Sequence, residues 1–276
     1  MSLNDVDGAI DCIRNADSIL AIIGAGLSAP SAIPTFRHEG AHWRGGPMDE
    51  MSKPAVFDRD PIGVCTFYEN RRQMARVVQP NAGHYALAAL AQAKPNFLAV
   101  TQNVDELSER ADHNPRQPVA LHGSVYNVHC SRDECAVTAR NYTSHPTVPG
   151  LVLPAYDVAD PRIPLPQVTR SAIPLCALCK QDIVRPGVTF FEESLPAQEL
   201  QRVDDWLEVN DEVDLVMIIG TSRAPFVGDA VQRGARMVVF NMGADAARSE
   251  DDDMIVEGDA SKTLPYVISR ALGTAM

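Results

Sequence analysis

Four short apolar runs constrain the fold more than any other feature of the 276-residue sequence. They lie at 18–23, 97–101, 213–220 and 237–240. Helical patterns lie at 83–93, 196–209, 225–234 and 264–272. Strands that are apolar throughout are buried on both faces, and their alternation with helices is typical of a mainly parallel sheet. We therefore predict an α/β fold with right-handed crossovers and helices on both faces of the sheet.

Four of the six cysteines form two close pairs. Cys130 and Cys135 are separated by four residues, Cys176 and Cys179 by two, and the pairs by 40 residues. In a reducing compartment this spacing is typical of a structural zinc site, where four thiolates complete a tetrahedron and leave no open position for chemistry. The alternative is two redox or accidental pairs. Cys12 and Cys65 are expected to be ordinary buried residues.

Two stretches interrupt the alternation of strands and helices. Residues 124–187 contain all the paired cysteines and little apolar sequence, so we predict a small inserted zinc lobe whose folding depends largely on the metal. The α/β domain would then comprise 1–123 and 188–276. Residues 33–62 are polar and contain four prolines. They are predicted to form a mobile segment that folds over a ligand and belongs partly to the small lobe.

Charge and targeting signals limit the classes of function. The sequence has 24 Lys plus Arg and 36 Asp plus Glu, a formal charge of −12, which argues against a general nucleic-acid binder. No run approaches the roughly 18–20 apolar residues that span a bilayer, so no membrane partner is expected. The N-terminus is polar and acidic, so no secretory or transit signal is expected. We expect an intracellular monomer, with cytoplasmic, nuclear and mitochondrial locations left open.

A glycine-rich segment follows the first apolar run directly. Gly24-Ala25-Gly26-Leu27-Ser28-Ala29 fits the G-x-G-x-x-A form of the dinucleotide-binding fingerprint. Glycines allow main-chain N–H groups to meet a pyrophosphate at a helix N-terminus. The motif alone fits a plain strand and turn equally well. Its proline-rich continuation also differs from the helix, second strand and acidic residue expected in a hydride-transfer enzyme.

Several further motifs, taken in order, resemble the sirtuins, which are NAD-consuming protein-lysine deacylases. The matching segments are 24–37, 101–107, 121–124, the two cysteine pairs, 185–193, 220–222, 240–241 and 258–260. The resemblance covers nearly the whole chain. It implies a Rossmann-type domain, a zinc lobe and an active cleft between them.

The resemblance also implies roles for individual residues. His122, in L-H-G-S, would be the base that activates a ribose hydroxyl, a task that suits an imidazole titrating near neutral pH. Asn103 would order the ribose or a water, Gln102 would bond to ribose hydroxyls, and Asp105 would contact the nicotinamide amide. Helix capping is the alternative for Asn103 and Asp105.

The resemblance implies further contacts with NAD and with the substrate peptide. Phe36 would shield the reactive ribose from water. Val188 and Phe190 would contact the substrate peptide where it pairs as a strand. The expected NAD-binding residues are Gly24, Ala25, Gly26, Ser28, Ala29, Phe36, Arg37, Gln102, Asn103, Asp105, Gly220, Thr221, Ser222, Asn241 and Ala260.

Tyr68 and Arg71 indicate which acyl group on the substrate lysine the protein is expected to prefer. Residues three apart share a helix face, and a phenol beside a guanidinium can bind a carboxylate. The alternative is a surface arginine beside a half-buried tyrosine. The pair resembles the Tyr-x-x-Arg signature of class III sirtuins, and N-A-G-H at 81–84 matches as well. That resemblance implies a preference for succinyl, malonyl and glutaryl groups.

The sequence departs from the sirtuin pattern at several positions. Ala32 and Glu192 stand where sirtuins have glycine, and Gly187 replaces a usual histidine or acid. We expect changes at 187 and 192 to alter peptide preference more than catalysis.

The expected cofactors are NAD+ and Zn2+, and the expected partner is an acylated lysine of a protein. Alternatives are a sirtuin-type deacetylase, a protein ADP-ribosyltransferase and a non-catalytic NAD-binding module.

Overall fold

The computed structural model describes residues 3–35, 42–132, 135, 138–140, 145–154, 158–222, 225–243 and 253–274. The chain forms two compact units. Unit 1 comprises Met1–Pro34, Val78–Leu121 and Ala197–Met276, and unit 2 comprises Thr35–Val77 and His122–Pro196. The predicted lobe of 124–187 lies within unit 2, and the exact domain boundaries stay a prediction.

The described helices and strands are numbered in chain order. The helices are α1 (Leu3–Asn15), α2 (Pro54–Arg59), α3 (Pro61–Val77), α4 (Ala82–Ala93), α5 (Leu107–Arg110), α6 (Ala197–Val209), α7 (Val227–Gln232) and α8 (Ala260–Leu272). The strands are β1 (Ile19–Ile23), β2 (His42–Trp43), β3 (Gly46–Pro47), β4 (Phe97–Thr101), β5 (Pro118–Ala120), β6 (Gly123–Cys130), β7 (Thr138–Arg140), β8 (Val184–Val188), β9 (Leu215–Ile219), β10 (Arg236–Asn241) and β11 (Met254–Glu257).

Unit 1 is built on a six-stranded sheet in which every described pairing is parallel. The strand order is β11-β10-β9-β1-β4-β5. All residues of β1, β4 and β9 are buried, as strands covered on both faces must be. α1, α4 and α8 pack together beside the main apolar core, whereas α6 contacts β4 and β5 and α7 contacts β9. The predicted α/β class with a parallel sheet is confirmed.

The apolar runs and helical patterns locate most elements of unit 1. The runs at 97–101 and 213–220 form β4 and β9, and the pattern at 83–93 forms α4. The pattern at 225–234 yields only the six-residue α7. Four further elements, α1, α5, β5 and β11, were not predicted, because each is short or lacks a continuous apolar run.

Unit 2 contains a three-stranded antiparallel sheet in the order β7-β6-β8. The helix α3 packs against β6 and β8. The segment 33–62, predicted to be a loop, contains β2, β3, α2 and a 3-10 helix at Met48–Ser52 among its described residues. Arg44, in the β2–β3 turn, donates hydrogen bonds to four carbonyls of the segment 158–163, at 2.9–3.1 Å.

No helix in the described parts of the chain is both long enough and apolar enough to cross a membrane.

Ala32 adopts a backbone conformation that favours glycine. It ends the 3-10 helix Ala29–Ser31 with φ 65° and ψ 26°, in the left-handed region. A side chain with a Cβ is strained there, whereas glycine is not. The alanine at position 32, where glycine was expected, therefore destabilises the folded state.

We predict that Ala32→Gly raises the free energy of unfolding by about 1 kcal/mol, because it relieves left-handed strain. Urea denaturation measures the change. The matched control is Ala29→Gly, at the start of the same 3-10 helix and outside the positive-φ positions, which should lower stability. If both substitutions changed the free energy of unfolding equally, the inference that Ala32 is strained would be wrong.

Candidate functional site

The loops that follow β1 and β9 lie in direct backbone contact. The N–H of Gly26 donates to the carbonyl of Gly220 at 2.9 Å. A Cβ on Gly26 would lie 2.7 Å from the Gly220 Cα, and a Cβ on Gly24 would lie 2.5 Å from the Thr221 Cβ. The glycines of the fingerprint are thus required for this contact. The loop leads into a three-residue 3-10 helix and not into the α-helix of the usual fingerprint.

Ser28 is the centre of a buried polar cluster at the ends of β1 and β4. Its side chain is completely buried and its Oγ lies 3.2 Å from Nδ2 of Asn103, which also donates to the Gly24 carbonyl at 3.1 Å. The Ser28 hydroxyl also bonds to Asp105. Burial raises the pKa of Asp105, although hydrogen bonds from Leu107 N–H and Ser28 oppose the shift. The cluster therefore fixes Asn103 and Asp105, two of the expected NAD-binding residues.

Asp105 also contacts the start of α5, although the residue at the N-cap position of that helix is Glu106. The Asp105 Oδ1 accepts the N–H of Leu107, the first residue of α5, at 3.0 Å. Asn103 makes no such contact and instead bonds to Gly24 and Ser28.

His84 joins the same cluster, although it was not among the expected site residues. Its Nδ1 accepts the Asn81 N–H at 3.2 Å, so the ring proton is assigned to Nε2, which faces the Ser28 Oγ at 3.4 Å. Burial lowers the pKa of His84 to about 4, which keeps the ring neutral. The signal in the sequence was Asn81 three residues earlier, which begins α4 in a capping box with His84.

The other expected nucleotide-binding residues lie at the same edge of the sheet. Gln102 Nε2 is 3.3 Å from the Thr221 Oγ1, and Asn241 Nδ2 donates to the Thr221 carbonyl at 3.3 Å. Ser222 follows Thr221 and is exposed. Ala260 begins α8, whose N-terminus is capped by Asp259. Polar groups at the carboxyl ends of parallel strands form the usual ligand site of open α/β sheets.

His122 lies in unit 2, directly before β6. Its carbonyl accepts the Thr189 N–H at 3.0 Å, and Gly123 pairs with Val188. Val188 and Phe190 are buried. Main-chain pairing thus brings the candidate base next to the strand that was expected to contact the peptide.

The departures at 187 and 192 have opposite structural consequences. A Cβ on Gly187 would lie 2.3 Å from the Asn127 Cβ, so this position requires glycine. Glu192 has φ 72°, in the left-handed region that favours glycine, the residue expected there, so the glutamate is strained.

Tyr68 and Arg71 are both buried in unit 2. The Tyr68 Oη lies 2.8 Å from the Ser52 Oγ, and its ring stacks on Phe190 with centroids 5.8 Å apart. The Arg71 guanidinium contacts the Met48 thioether and lies 5.2 Å from the Phe67 ring centroid. Burial lowers the pKa of Arg71 to about 10. The alternative of a surface arginine beside a half-buried tyrosine is wrong.

The four paired cysteines form a cluster in unit 2. Their sulfurs all lie within 4.8 Å of one another, with Cys130–Cys179 at 3.6 Å and Cys135–Cys176 at 3.7 Å. A tetrahedral site with Zn–S bonds of about 2.3 Å has sulfurs about 3.8 Å apart. Main-chain N–H groups of Asp182 and Gln181 lower the pKa of Cys179 to about 7. The cluster therefore fits a zinc ion.

Phe36 and Arg37 lie outside the described residues.

A parallel α/β unit with polar strand ends and a separate tetracysteine centre defines a nucleotide-binding protein with a structural metal site. A sequence model described as the Sir2 family matches residues 24–225. The chain belongs to the Sir2 family, as the resemblance to sirtuins predicted.

Curated relatives and solved structures agree with this assignment. A Candida albicans protein named "NAD-dependent protein deacylase" is 30% identical, over 92% of this chain and 94% of the relative. The Xenopus tropicalis "NAD-dependent protein deacylase sirtuin-5, mitochondrial" is 32% identical, over 94% of this chain and 84% of the relative. A solved "Sir2 homolog-NAD complex" superposes with a TM-score of 0.77 at 26% identity, covering 97% of this chain and 94% of that one.

We predict one zinc ion per chain in the purified protein, measured by atomic absorption. Cys179→Ser should lower the zinc content, because it removes one of the four sulfurs. The matched control is Cys12→Ala, in unit 1 and outside the cluster, which should keep the full metal content. Full zinc content in Cys179→Ser would contradict the site.

We predict that stability falls as the pH is lowered from 6.5 to 4. Burial lowers the pKa of both His84 and His113 to about 4, so the unfolded chain binds protons that the folded chain excludes. Stability therefore rises with pH in this window, by about 3 kcal/mol for each histidine.

Urea denaturation across this pH window, on the wild type and His113→Leu, tests the prediction. The variant should lose about half of the pH dependence. His42→Gln, at an exposed histidine, is the control that should keep it. An unchanged slope in His113→Leu would show that this residue does not contribute.

Proposed function

We propose that this protein is an NAD-dependent protein-lysine deacylase that prefers acidic acyl groups: succinyl, malonyl and glutaryl. The products would be nicotinamide, the free lysine and O-acyl-ADP-ribose. Membership of the Sir2 family and two relatives named as deacylases support the reaction class. The sirtuin-5 relative supports the acyl class.

Unit 1 supplies the residues for NAD. NAD contributes the ribose carbon that the acyl carbonyl oxygen attacks, with nicotinamide as the leaving group. Asn103 and Asp105, held by Ser28, would orient the ribose and the nicotinamide amide. Gln102, Thr221 and Asn241 offer hydrogen bonds to the ribose hydroxyls and phosphates from neighbouring strand ends.

Unit 2 supplies the residues for the acyl-lysine. His122 would accept the proton of a ribose hydroxyl as that hydroxyl attacks the acyl carbon. The main chain around Val188 would pair with the extended substrate peptide. Val188 and Phe190 would line the peptide site.

The buried pair of Tyr68 and Arg71 is the observation that carries the acyl preference. Burial makes the cationic form of Arg71 costly, as its lowered pKa shows. A ligand carboxylate restores a favourable environment for the cation, and Arg binds carboxylates through two parallel hydrogen bonds. A neutral acetyl group provides no such compensation.

We predict that Arg71→Met lowers the succinyl-to-acetyl ratio of kcat/KM by about 10- to 100-fold, the range for a lost charged hydrogen bond. Tyr68→Phe should lower it less. Kinetics with peptides that carry acetyl-, succinyl-, malonyl- or glutaryl-lysine measure these ratios. Arg76→Met, at an exposed arginine of the same helix, is the matched control. An unchanged ratio in both pair variants would refute the acyl assignment.

The same assays separate the other possible functions. His122→Ala should abolish the release of lysine and O-acyl-ADP-ribose, because it removes the base. Mass spectrometry that instead found ADP-ribosylated protein would identify a transferase. No nicotinamide release from any acyl-peptide would identify a non-catalytic binding module.

A further inference from the structure

Glu69 is a buried carboxylate between the two residues of the acyl pair. It lies on α3 after Tyr68 and two residues before Arg71, and only 4% of the residue is exposed. A buried carboxylate is costly unless other groups compensate its charge. Its contacts therefore indicate what this position does.

The carboxylate of Glu69 holds the segment 145–148. Its Oε2 accepts the Thr147 N–H at 3.0 Å. Its Oε1 lies 2.6 Å from the His145 Nδ1, in ion-pair range but outside hydrogen-bond geometry, so that contact acts through charge when the ring is protonated. Both contacts join α3 to a segment far away in the sequence.

Arg72 holds the same threonine from the next turn of the helix. Its Nη1 donates to the Thr147 Oγ1 at 3.0 Å, and its guanidinium lies 5.6 Å from the Tyr126 ring centroid. Thr147 is therefore bonded through both its main chain and its hydroxyl. We name Glu69, Arg72, His145 and Thr147 the α3 clamp.

The α3 clamp and the acyl pair lie on adjoining faces of one helix. Residues three apart share a face, so Glu69 and Arg72 form one pair, and Tyr68 and Arg71 form the other, about 100° away. Any rotation of α3 about its axis moves both pairs together. Contacts that fix the first pair also fix the second.

Apolar packing leaves space beside the clamp. A cavity of about 20 Å³, room for one water, is lined by Tyr68, Glu69, Arg72 and Thr147, among other residues. The helix is therefore not fully packed on this side. Directional polar contacts are needed here to select one orientation.

We propose that Glu69 is a positioning residue for acyl selection, which fixes the orientation of Tyr68 and Arg71 by clamping α3 to the segment 145–148. This inference rests on the proposed function. Ion pairs of this kind stabilise a fold little compared with apolar side chains of similar volume. Their role here is orientation, and the acid at position 69 determines how well the enzyme binds an acyl carboxylate.

Glu69→Gln tests the inference in the full-length protein, because it keeps the shape of the side chain and removes the charge. The KM for a succinyl-lysine peptide should rise about tenfold, the scale of one weakened charge-assisted contact, while the acetyl-lysine KM changes less than twofold. Glu199→Gln, on α6 in unit 1, is the control and should change neither value. Equal effects on both peptides would overturn the inference.

A double-mutant cycle separates positioning from a general structural role. If Glu69 acts through Arg71, Glu69→Gln should have little further effect on the succinyl KM in an Arg71→Met background. Full additivity would overturn the inference. Should Glu69→Gln fail to fold, His145→Ala and Thr147→Val carry the same comparison, since neither residue is fully buried.

The wild-type enzyme distinguishes the two proposals. No preference for succinyl over acetyl peptides would refute the proposed acyl class and the inference together. A wild-type preference that Glu69→Gln retains would refute the inference alone.

Discussion

Unit 1 depends on the contact between the backbones of two strand-end loops. Gly26 donates to the Gly220 carbonyl, and neither glycine has room for a Cβ. This contact joins the ends of β1 and β9, and it brings Ser28 to the point where Asn103 and Asp105 leave β4. A larger residue at position 26 or 220 would separate the loops, so the polar cluster that follows would lose its geometry.

Both candidate sites are built from polar side chains that the protein removes from water. In unit 1, Ser28 bonds to Asn103, His84 and Asp105. In unit 2, α3 buries two charged residues in the clamp and one more in the acyl pair. Such groups carry a desolvation cost that only specific partners or a ligand can offset. A chain that buries them therefore gains defined orientations at the expense of stability.

Sequence reasoning located the sheet of unit 1 and the tetracysteine cluster well. Short apolar runs and close cysteine pairs are local patterns, so 97–101 and the four cysteines could be recognised directly. It missed the role of His84 because the partner, Ser28, lies 56 residues away. It also overlooked Glu69, whose partners on the segment 145–148 lie in a stretch with no recognisable pattern.

The sequence by itself determined the fold class, the family and the identities of the nucleotide-binding and metal-binding candidates. Those properties depend on periodicity, spacing and motif order, which can be read directly from the sequence. Only the tertiary structure decided that Tyr68 and Arg71 are buried together, that Gly187 must accommodate Asn127, and that Glu69 clamps α3. Those facts depend on distances between residues remote in sequence, because burial and hydrogen bonding exist only after the chain has folded.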